Sequence, residues 1–81
     1  MTIREHLDTL VRGLAEQPSE LKITEIAGAK TQVFEVRCSK SDLGKLVGKS
    51  GKTVSALRIL LNALALKSGR RVALEVVDTA G

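Results

Sequence analysis

Aromatic side chains are nearly absent from this chain, which has one Phe and no Trp or Tyr in 81 residues. Proteins that stack nucleic-acid bases on aromatic platforms need such side chains on their surface. The single candidate, Phe34, alternates with polar neighbours in a register that turns it inward. An aromatic stacking surface is therefore not expected, and the core must be built from Leu, Val, Ile and Ala.

Cysteine, histidine and long apolar runs are scarce as well. One cysteine, Cys38, cannot form an internal disulfide, and together with the single His6 it cannot make a metal site. No apolar run approaches the roughly 18 residues of a membrane span. The first residues are charged where a signal peptide would be apolar. We expect one small cytoplasmic domain, residues 1–81, with no membrane contact, metal or other cofactor.

Positive charge is concentrated in the second half of the chain. The net charge is +4, with −1 over residues 1–39 and +5 over residues 40–81. Four of the basic residues lie close together around a pair of glycines: Lys40, Lys45, Lys49 and Lys52. Such a concentration favours a phosphate-rich partner, and a merely solvated surface is the alternative.

Hydrophobic periodicity predicts six elements in the order α-β-β-α-α-β. Thr2 and Glu5 match a capping box that opens an amphipathic helix, which runs from residue 3 to about residue 16, ahead of Pro18. Two further helices, at about 41–47 and 52–67, flank the glycines. Alternating apolar positions mark three strands: Leu21, Ile23 and, less regularly, Ile26; Phe34, Val36 and Cys38; Val72, Leu74 and Val76.

The long helix carries two apolar faces. One arc is expected to face the core: Val54, Leu57, Leu60, Leu61, Leu64 and Ala65. A second patch lies nearly opposite: Ala56, Ile59, Ala63 and Leu66. This patch either packs against a neighbouring helix or forms a protein–protein interface for self-association or a paired partner.

The most informative segment is Val47-Gly48-Lys49-Ser50-Gly51. Its glycines permit a tight turn, and the helix that begins at Lys52 directs free N–H groups and its positive dipole end toward that turn. Such a turn is suited to a phosphate. We expect the backbone amides of Lys49, Ser50 and Gly51 to approach phosphates, with charge-assisted contacts from Lys49, Lys52 and Lys45. A solvated loop lysine is the alternative for Lys49.

The same segment differs from a nucleotide-hydrolysing P-loop. The pattern G-x-x-x-x-G-K-[ST], placed with its second glycine at Gly51, requires a glycine where Leu46 stands. A helix precedes the turn, whereas a P-loop follows a strand. His6 has no nucleophile placed beside it by any pattern. We therefore predict no catalytic residues, no small-molecule substrate and no enzyme activity.

The two-glycine turn between helices, in this element order, resembles the KH domain of type II (bacterial) topology over essentially the whole chain. The resemblance rests on the run from Asp42 to Thr53, followed by Ala56-Leu57-Arg58. The length and the ending Arg70–Val76 resemble the stand-alone KhpA family. The resemblance implies an α/β (α+β) fold: a three-stranded sheet with three helices on one face.

Resemblance to this family also implies function. KH domains clamp about four nucleotides of single strand with the GxxG loop on the backbone. The implied activity is that of a small bacterial regulator or chaperone-like factor that binds single-stranded RNA, and binding should be weak and salt-sensitive. Arg58 could reach RNA or an acidic side chain. Candidates for an apolar groove floor under the bases are Leu43, Leu46, Val47 and Val36.

Other partners follow from the resemblance or stay open. The family implies pairing with itself or with a larger KH-containing, KhpB-like protein, and a role in the cell envelope and division. A pure interaction module would use the second apolar face of the long helix. Single-stranded DNA is a further alternative, because the loop contacts phosphates that both polymers share.

Overall fold

The computed structural model describes residues 1–79 and has the expected α-β-β-α-α-β order. Short 3₁₀ turns at Pro18–Glu20 and Lys49–Gly51 join the elements. Within residues 1–79, no helix has both the length and the apolarity needed to cross a bilayer. The elements are α1 (Ile3–Leu14), β1 (Lys22–Ala27), β2 (Thr31–Cys38), α2 (Lys40–Val47), α3 (Lys52–Leu66) and β3 (Arg71–Asp78).

The three strands form one mixed sheet in the order β1-β2-β3. Strand β2 is antiparallel to β1 and parallel to β3, with Phe34 opposite Glu25 on one side and Leu74 on the other. The parallel pair needs a crossover connection, which α2 and α3 supply. Strands β1 and β3 are the two edges of the sheet. Helix α3, which begins directly after the glycine loop, packs along the β3 edge.

The core lies between the helices and one face of the sheet. Phe34 and Val36 are fully buried there, which confirms the inward register of β2. The predicted capping box is also confirmed, because the Thr2 hydroxyl accepts the Glu5 N–H and the Glu5 carboxylate accepts the Thr2 N–H. Three helices on one face of a three-stranded sheet are the architecture that the resemblance implied.

The buried stripe of α3 is narrower than predicted. Its buried residues are Val54, Leu57, Leu61 and Ala65. Leu60 and Leu64 were expected in the core but are 51% and 41% exposed. They lie on the flank toward α1, where with Leu10 they line a shallow apolar groove. Helical periodicity locates an apolar arc but does not say how much of that arc a neighbouring helix covers.

The inward position expected for Ile26 of strand β1 is also wrong. Ile26 is 65% exposed, although the sequence placed it with the inward residues. Side chains alternate along a strand, so Ile26, three positions after the partly buried Ile23, lies on the opposite face. Among the described residues 1–79, no helix covers that face of the sheet.

Asp42 fixes the direction of α2. Its side chain is fully buried, and its two oxygens accept the backbone N–H groups of Glu16 and Gln17, each at 2.9 Å. These two bonds, with smaller contributions from Ser39 and Lys45, hold the pKa of Asp42 below its ordinary value against the opposing effect of burial. The start of α2 is thereby tied to the segment that follows α1.

Candidate nucleic-acid interface

Gly48 ends α2 in a conformation open only to glycine. Its φ of 80° and ψ of 170° lie in a region that residues with a Cβ do not adopt without strain. A Cβ added there would also lie 2.8 Å from the backbone N of Thr53, the second residue of α3. The close approach of Gly48 to Thr53 brings the end of α2 against the beginning of α3.

The rest of the loop is one tight turn. The Gly51 N–H donates to the Gly48 carbonyl at 3.1 Å, and the Lys52 N–H donates to the Lys49 carbonyl. Ser50 and Gly51 have φ of 57° and 74°. A left-handed conformation costs a residue with a side chain about 1–2 kcal/mol, so Ser50 is a strained residue at the exposed tip of the loop.

Two backbone amides of the loop remain available to a ligand. Within residues 1–79, the N–H groups of Lys49 and Ser50 have no hydrogen-bond acceptor. The expectation for Gly51 is corrected, because its N–H is used inside the turn. The loop therefore presents two adjacent donors, at the residues whose side chains are also exposed.

The N-terminus of α3 differs from those of α1 and α2. Thr2 and Ser39 cap the first two helices with side-chain oxygens. Gly51 offers α3 no side-chain cap, and the first turn holds Lys52 and no acidic residue. A lysine at the positive end of a helix dipole is unfavourable in isolation. A bound anion would be stabilised both by the lysine and by the helix dipole. The arrangement suits a phosphate.

The charge around the loop has a single sign. Residues 43–74 contain seven Lys or Arg and no Asp or Glu. Lys49 and Lys52 are exposed and form no ion pair within residues 1–79. Lys45 is also exposed, but it is paired with the Glu16 carboxylate. Lys49 and Lys52 are thus the unengaged cations nearest the loop, whereas Lys45 would have to leave Glu16 before it could contact a ligand.

The predicted groove floor is partly corrected. Leu43 and Val47, one turn apart on α2, are only partly buried and can touch a ligand. Leu46 and Val36 are fully buried in the core and cannot. Val76 of β3 is also partly buried beside the core, and the sequence analysis did not name it as a candidate for the groove. The alternation of apolar residues along β3 predicted that Val76 faces inward. It did not predict that Val76 lies at the margin of the core, where it is only partly buried.

Side chains of α3 hold the free edge of β3. Arg58 donates to the Leu74 carbonyl through Nε at 3.2 Å and Nη2 at 2.9 Å. The acidic partner considered for Arg58 is therefore not the one it has within residues 1–79. Asn62, which sequence analysis missed, accepts the Val72 N–H at 2.9 Å and donates to the Val72 carbonyl at 3.0 Å. The only sequence signal for this role of Asn62 was that a polar residue lies beside the apolar arc of α3. These contacts protect an edge that would otherwise be open.

The peptide groups of Val76 on that edge remain free. Alternate peptide groups of β3 face β2, as the bond from the Arg71 N–H to the Lys30 carbonyl shows. The peptide groups of Val76 therefore face away from the sheet. No side chain within residues 1–79 is hydrogen-bonded to them. Val76 thus offers a free backbone donor and acceptor near the C-terminal end of β3.

The second apolar patch of α3 is exposed, and no helix within residues 1–79 covers it. Ile59 and Leu66 are 70% and 76% exposed, and Ala56 and Ala63 are exposed beside them. Leu60 and Leu64 extend this surface toward α1. The patch lies on the same helix as the loop but away from the β3 edge.

Comparison with known proteins agrees with the geometry. The family described as "KhpA/KhpB, KH domain" matches residues 4–76. The RNA-binding protein KhpA of Borreliella burgdorferi is 40% identical over 74 residues, which cover 91% of this chain and 90% of the relative. Those of Chlamydia pneumoniae and Aquifex aeolicus are each 36% identical over 76 residues, covering 94% of this chain and 97% and 96% of theirs. No solved structure matches the chain significantly. This chain belongs to the KhpA/KhpB family of KH domains.

Proposed function

We propose that this protein, as a single KH domain, binds single-stranded RNA and holds the RNA backbone at the loop Gly48–Gly51. The observation that carries the proposal is the uncapped N-terminus of α3 beside the free amides of Lys49 and Ser50. Unpaired lysines surround these donors, and no acidic residue lies between positions 43 and 74. The similar KhpA proteins are named RNA-binding, which supports a nucleic-acid ligand over other anions.

Bases would lie in the groove between α2 and the edge of β3. Leu43 and Val47 form one side of this groove, and Val76 offers both an apolar side chain and free peptide groups. With no exposed aromatic residue available, bases pack on aliphatic side chains. The groove therefore supplies shape and a few hydrogen bonds, and the loop supplies most of the affinity. Limited sequence preference is the expected consequence.

The direct test is binding of a short labelled RNA to wild type and to Lys49→Asp/Ser50→Asp. The substitutions place carboxylates where phosphates would lie. They should not unfold the chain, because Asp tolerates the left-handed conformation at residue 50 and acidic residues stabilise a helix N-terminus. We expect RNA binding to be lost while the circular dichroism spectrum is unchanged.

A matched control is Ser19→Asp/Lys22→Asp, which makes the same charge change at exposed positions outside α2, the loop and α3. It should weaken binding much less than the loop variant does. Equal loss in both variants would mean that only net charge matters. Undiminished binding by a folded loop variant would remove the loop from the proposal.

RNA and DNA are separated by competition between oligonucleotides of the same sequence. The loop contacts phosphates, which both polymers share, so discrimination must come from contacts to the 2′-OH. We expect RNA to compete more strongly. Preferential binding of the DNA oligonucleotide would replace RNA with single-stranded DNA in the proposal.

A second function, pairing through the exposed face of α3, is favoured by the exposure of Ile59 and Leu66. The partner is a second copy or a larger KhpB-like protein. Sedimentation equilibrium should show association that Ile59→Glu abolishes. The control Ile26→Glu changes an isoleucine of similar exposure on the open sheet face and should leave association intact. A wild-type chain that stays monomeric at high concentration would remove the homodimer.

A further inference from the structure

A second group of basic side chains lies at the other end of α3 from the glycine loop. We call it the end patch: Lys30, Lys67, Arg70 and Arg71. Two hydrogen bonds join the turns that carry it, from the Arg71 N–H to the Lys30 carbonyl at 2.8 Å and from Arg70 Nη2 to the Gly28 carbonyl at 3.0 Å. Lys30, Lys67 and Arg71 are exposed, and Arg70 is partly buried.

No acidic residue is built into this end of the molecule. Residues 26–34 and 43–74, which supply both turns, contain no Asp or Glu. The acidic residues of the strands lie farther along them. Glu25 is engaged by Gln32 and lies 4.0 Å from Arg4, and Glu35 is paired with Arg37. Glu75 lies four residues beyond Arg71 on β3. The positive charge of the end patch is therefore largely uncompensated.

Helix α3 and strand β3 connect the loop to this patch. Helix α3 has 15 residues and so spans about 22 Å. Strand β3 runs antiparallel to it, since Arg58 contacts Leu74 and the later Asn62 contacts the earlier Val72. The wall formed by α3 and the β3 edge is thus continuous. A strand held at the loop and lying along this wall would pass the end patch after about four nucleotides.

We propose that the end patch is a second phosphate-backbone site, which holds the part of a single strand that extends beyond the groove. The proposal rests on the RNA-binding function proposed above and deepens it by assigning a length requirement. An acidic protein would satisfy the same charges. The continuous surface of α3 and β3 and the single sign of charge from residue 43 to residue 74 favour the nucleic-acid strand.

The test compares RNAs of about four and about ten nucleotides. The variant Lys30→Gln/Arg71→Gln removes two exposed charges and leaves Arg70, which supports the Gly28 turn, in place. Wild type should bind the longer RNA more tightly. The variant should lose roughly fivefold in affinity for the longer RNA and nothing for the shorter. The slope of log K against log salt for the longer RNA should become shallower by about 1.4, for two contacts.

The control Arg12→Gln/Lys22→Gln removes the same charge from α1 and β1 and should leave the preference for length intact. If Arg71→Gln disturbs folding, Lys30→Gln/Lys67→Gln takes its place, because both lysines lie in turns.

Each remaining outcome overturns the proposal in a recognisable way. Unchanged affinity of the end-patch variant for the longer RNA, or equal affinity of wild type for both lengths, would exclude a second site while the loop proposal stands. If the end-patch variant lost affinity equally for the shorter and the longer RNA, Lys30 and Arg71 would belong to the same site as the loop. Failure of wild type to bind either RNA would remove the proposed function together with this inference.

Discussion

At the residue scale, the two loop glycines meet different requirements. Gly48 needs both its backbone conformation and its missing Cβ, because Thr53 occupies the space where a Cβ would lie. Gly51 has open space around it and needs only its positive φ. A pattern of two glycines in the sequence does not distinguish these requirements, although they differ in energy.

We therefore expect Gly48→Ala to destabilise the protein more than Gly51→Ala. The first combines conformational strain of about 1–3 kcal/mol with displacement of Thr53. The second has a left-handed strain of about 1–2 kcal/mol alone. Urea denaturation of both variants and wild type measures the difference. A smaller loss in the free energy of unfolding for Gly48→Ala than for Gly51→Ala would contradict the packing of Gly48 on Thr53.

At the element scale, the direction of α2 depends on a carboxylate far from the loop. Asp42 binds the amides of Glu16 and Gln17, and α2 then runs from this anchor to Gly48. Since hydrogen bonding to the ionised form lowers the pKa of Asp42, the folded state binds its proton less readily than the unfolded state. Stability is therefore linked to pH at this residue.

The sign of that linkage gives a testable prediction. The stabilisation by Asp42 is fully present above the unfolded pKa of about 3.9 and is lost as pH falls through the lower folded pKa. Asp42→Asn should lower Tm at neutral pH, and the gap to wild type should close in acid. Thermal unfolding followed from neutral pH to below about pH 3 measures it. A gap that is constant with pH would contradict the ionic role of Asp42.

The edge of β3 is the second feature at this scale. Asn62 satisfies both peptide groups of Val72, so Asn62→Ala leaves a donor and an acceptor without their partner. We expect a loss of roughly 1–3 kcal/mol in the free energy of unfolding. Ser55→Ala, at an exposed position of the same helix, should change it by less than about 0.5 kcal/mol. Similar small effects of both would mean that water replaces Asn62 at no cost.

At the scale of the whole molecule, charge rather than aromatic stacking must supply affinity for a nucleic acid. Basic residues extend from the loop along α3 to its far end with no acidic residue among them. Five of the nine acidic residues lie on α1, β1, β2 and the turn Pro18–Glu20. Of the others, Asp42 is on α2, Glu75 and Asp78 are on β3, and Glu16 reaches Lys45. Positive charge is therefore concentrated on the loop and α3.

This polarity predicts a measurable salt dependence. If the loop region engages about three phosphates, log K for a short RNA should fall with log salt at a slope of about −2. Lys49→Gln/Lys52→Gln should make the slope shallower by about 1.4, since each contact contributes about 0.7. Fluorescence anisotropy at several salt concentrations measures both slopes. A slope near zero for wild type would contradict an electrostatic clamp.

Local signals in the sequence predicted most of this fold. The capping box at Thr2, the alternation around Phe34 and the glycine pair each depend on neighbouring residues, and each gave the right element. Relations between distant residues were not predictable. The bonds from Asp42 to Glu16 and Gln17 join distant parts of the chain, and the exposure of Leu60 depends on how far α1 extends across α3.

In the candidate site, too, features that depend on neighbouring residues were predictable and features that depend on distant residues were not. The loop and its lysines followed from a short motif, whereas the roles of Asn62 and Val76 depend on which edge of β3 lies against α3. Two groove residues, Leu46 and Val36, were misplaced because periodicity does not distinguish the floor of a groove from the core below it.

The central claim is that the RNA backbone lies on the Gly48–Gly51 loop, and amide chemical shifts test it most directly. A ¹⁵N-labelled sample titrated with a short single-stranded RNA should show its largest shifts at Lys49 and Ser50, the loop residues with free N–H groups. Smaller shifts should follow along α2 and the end of β3. Shifts confined to α1, β1 or the open face of the sheet, with the loop unmoved, would contradict the account.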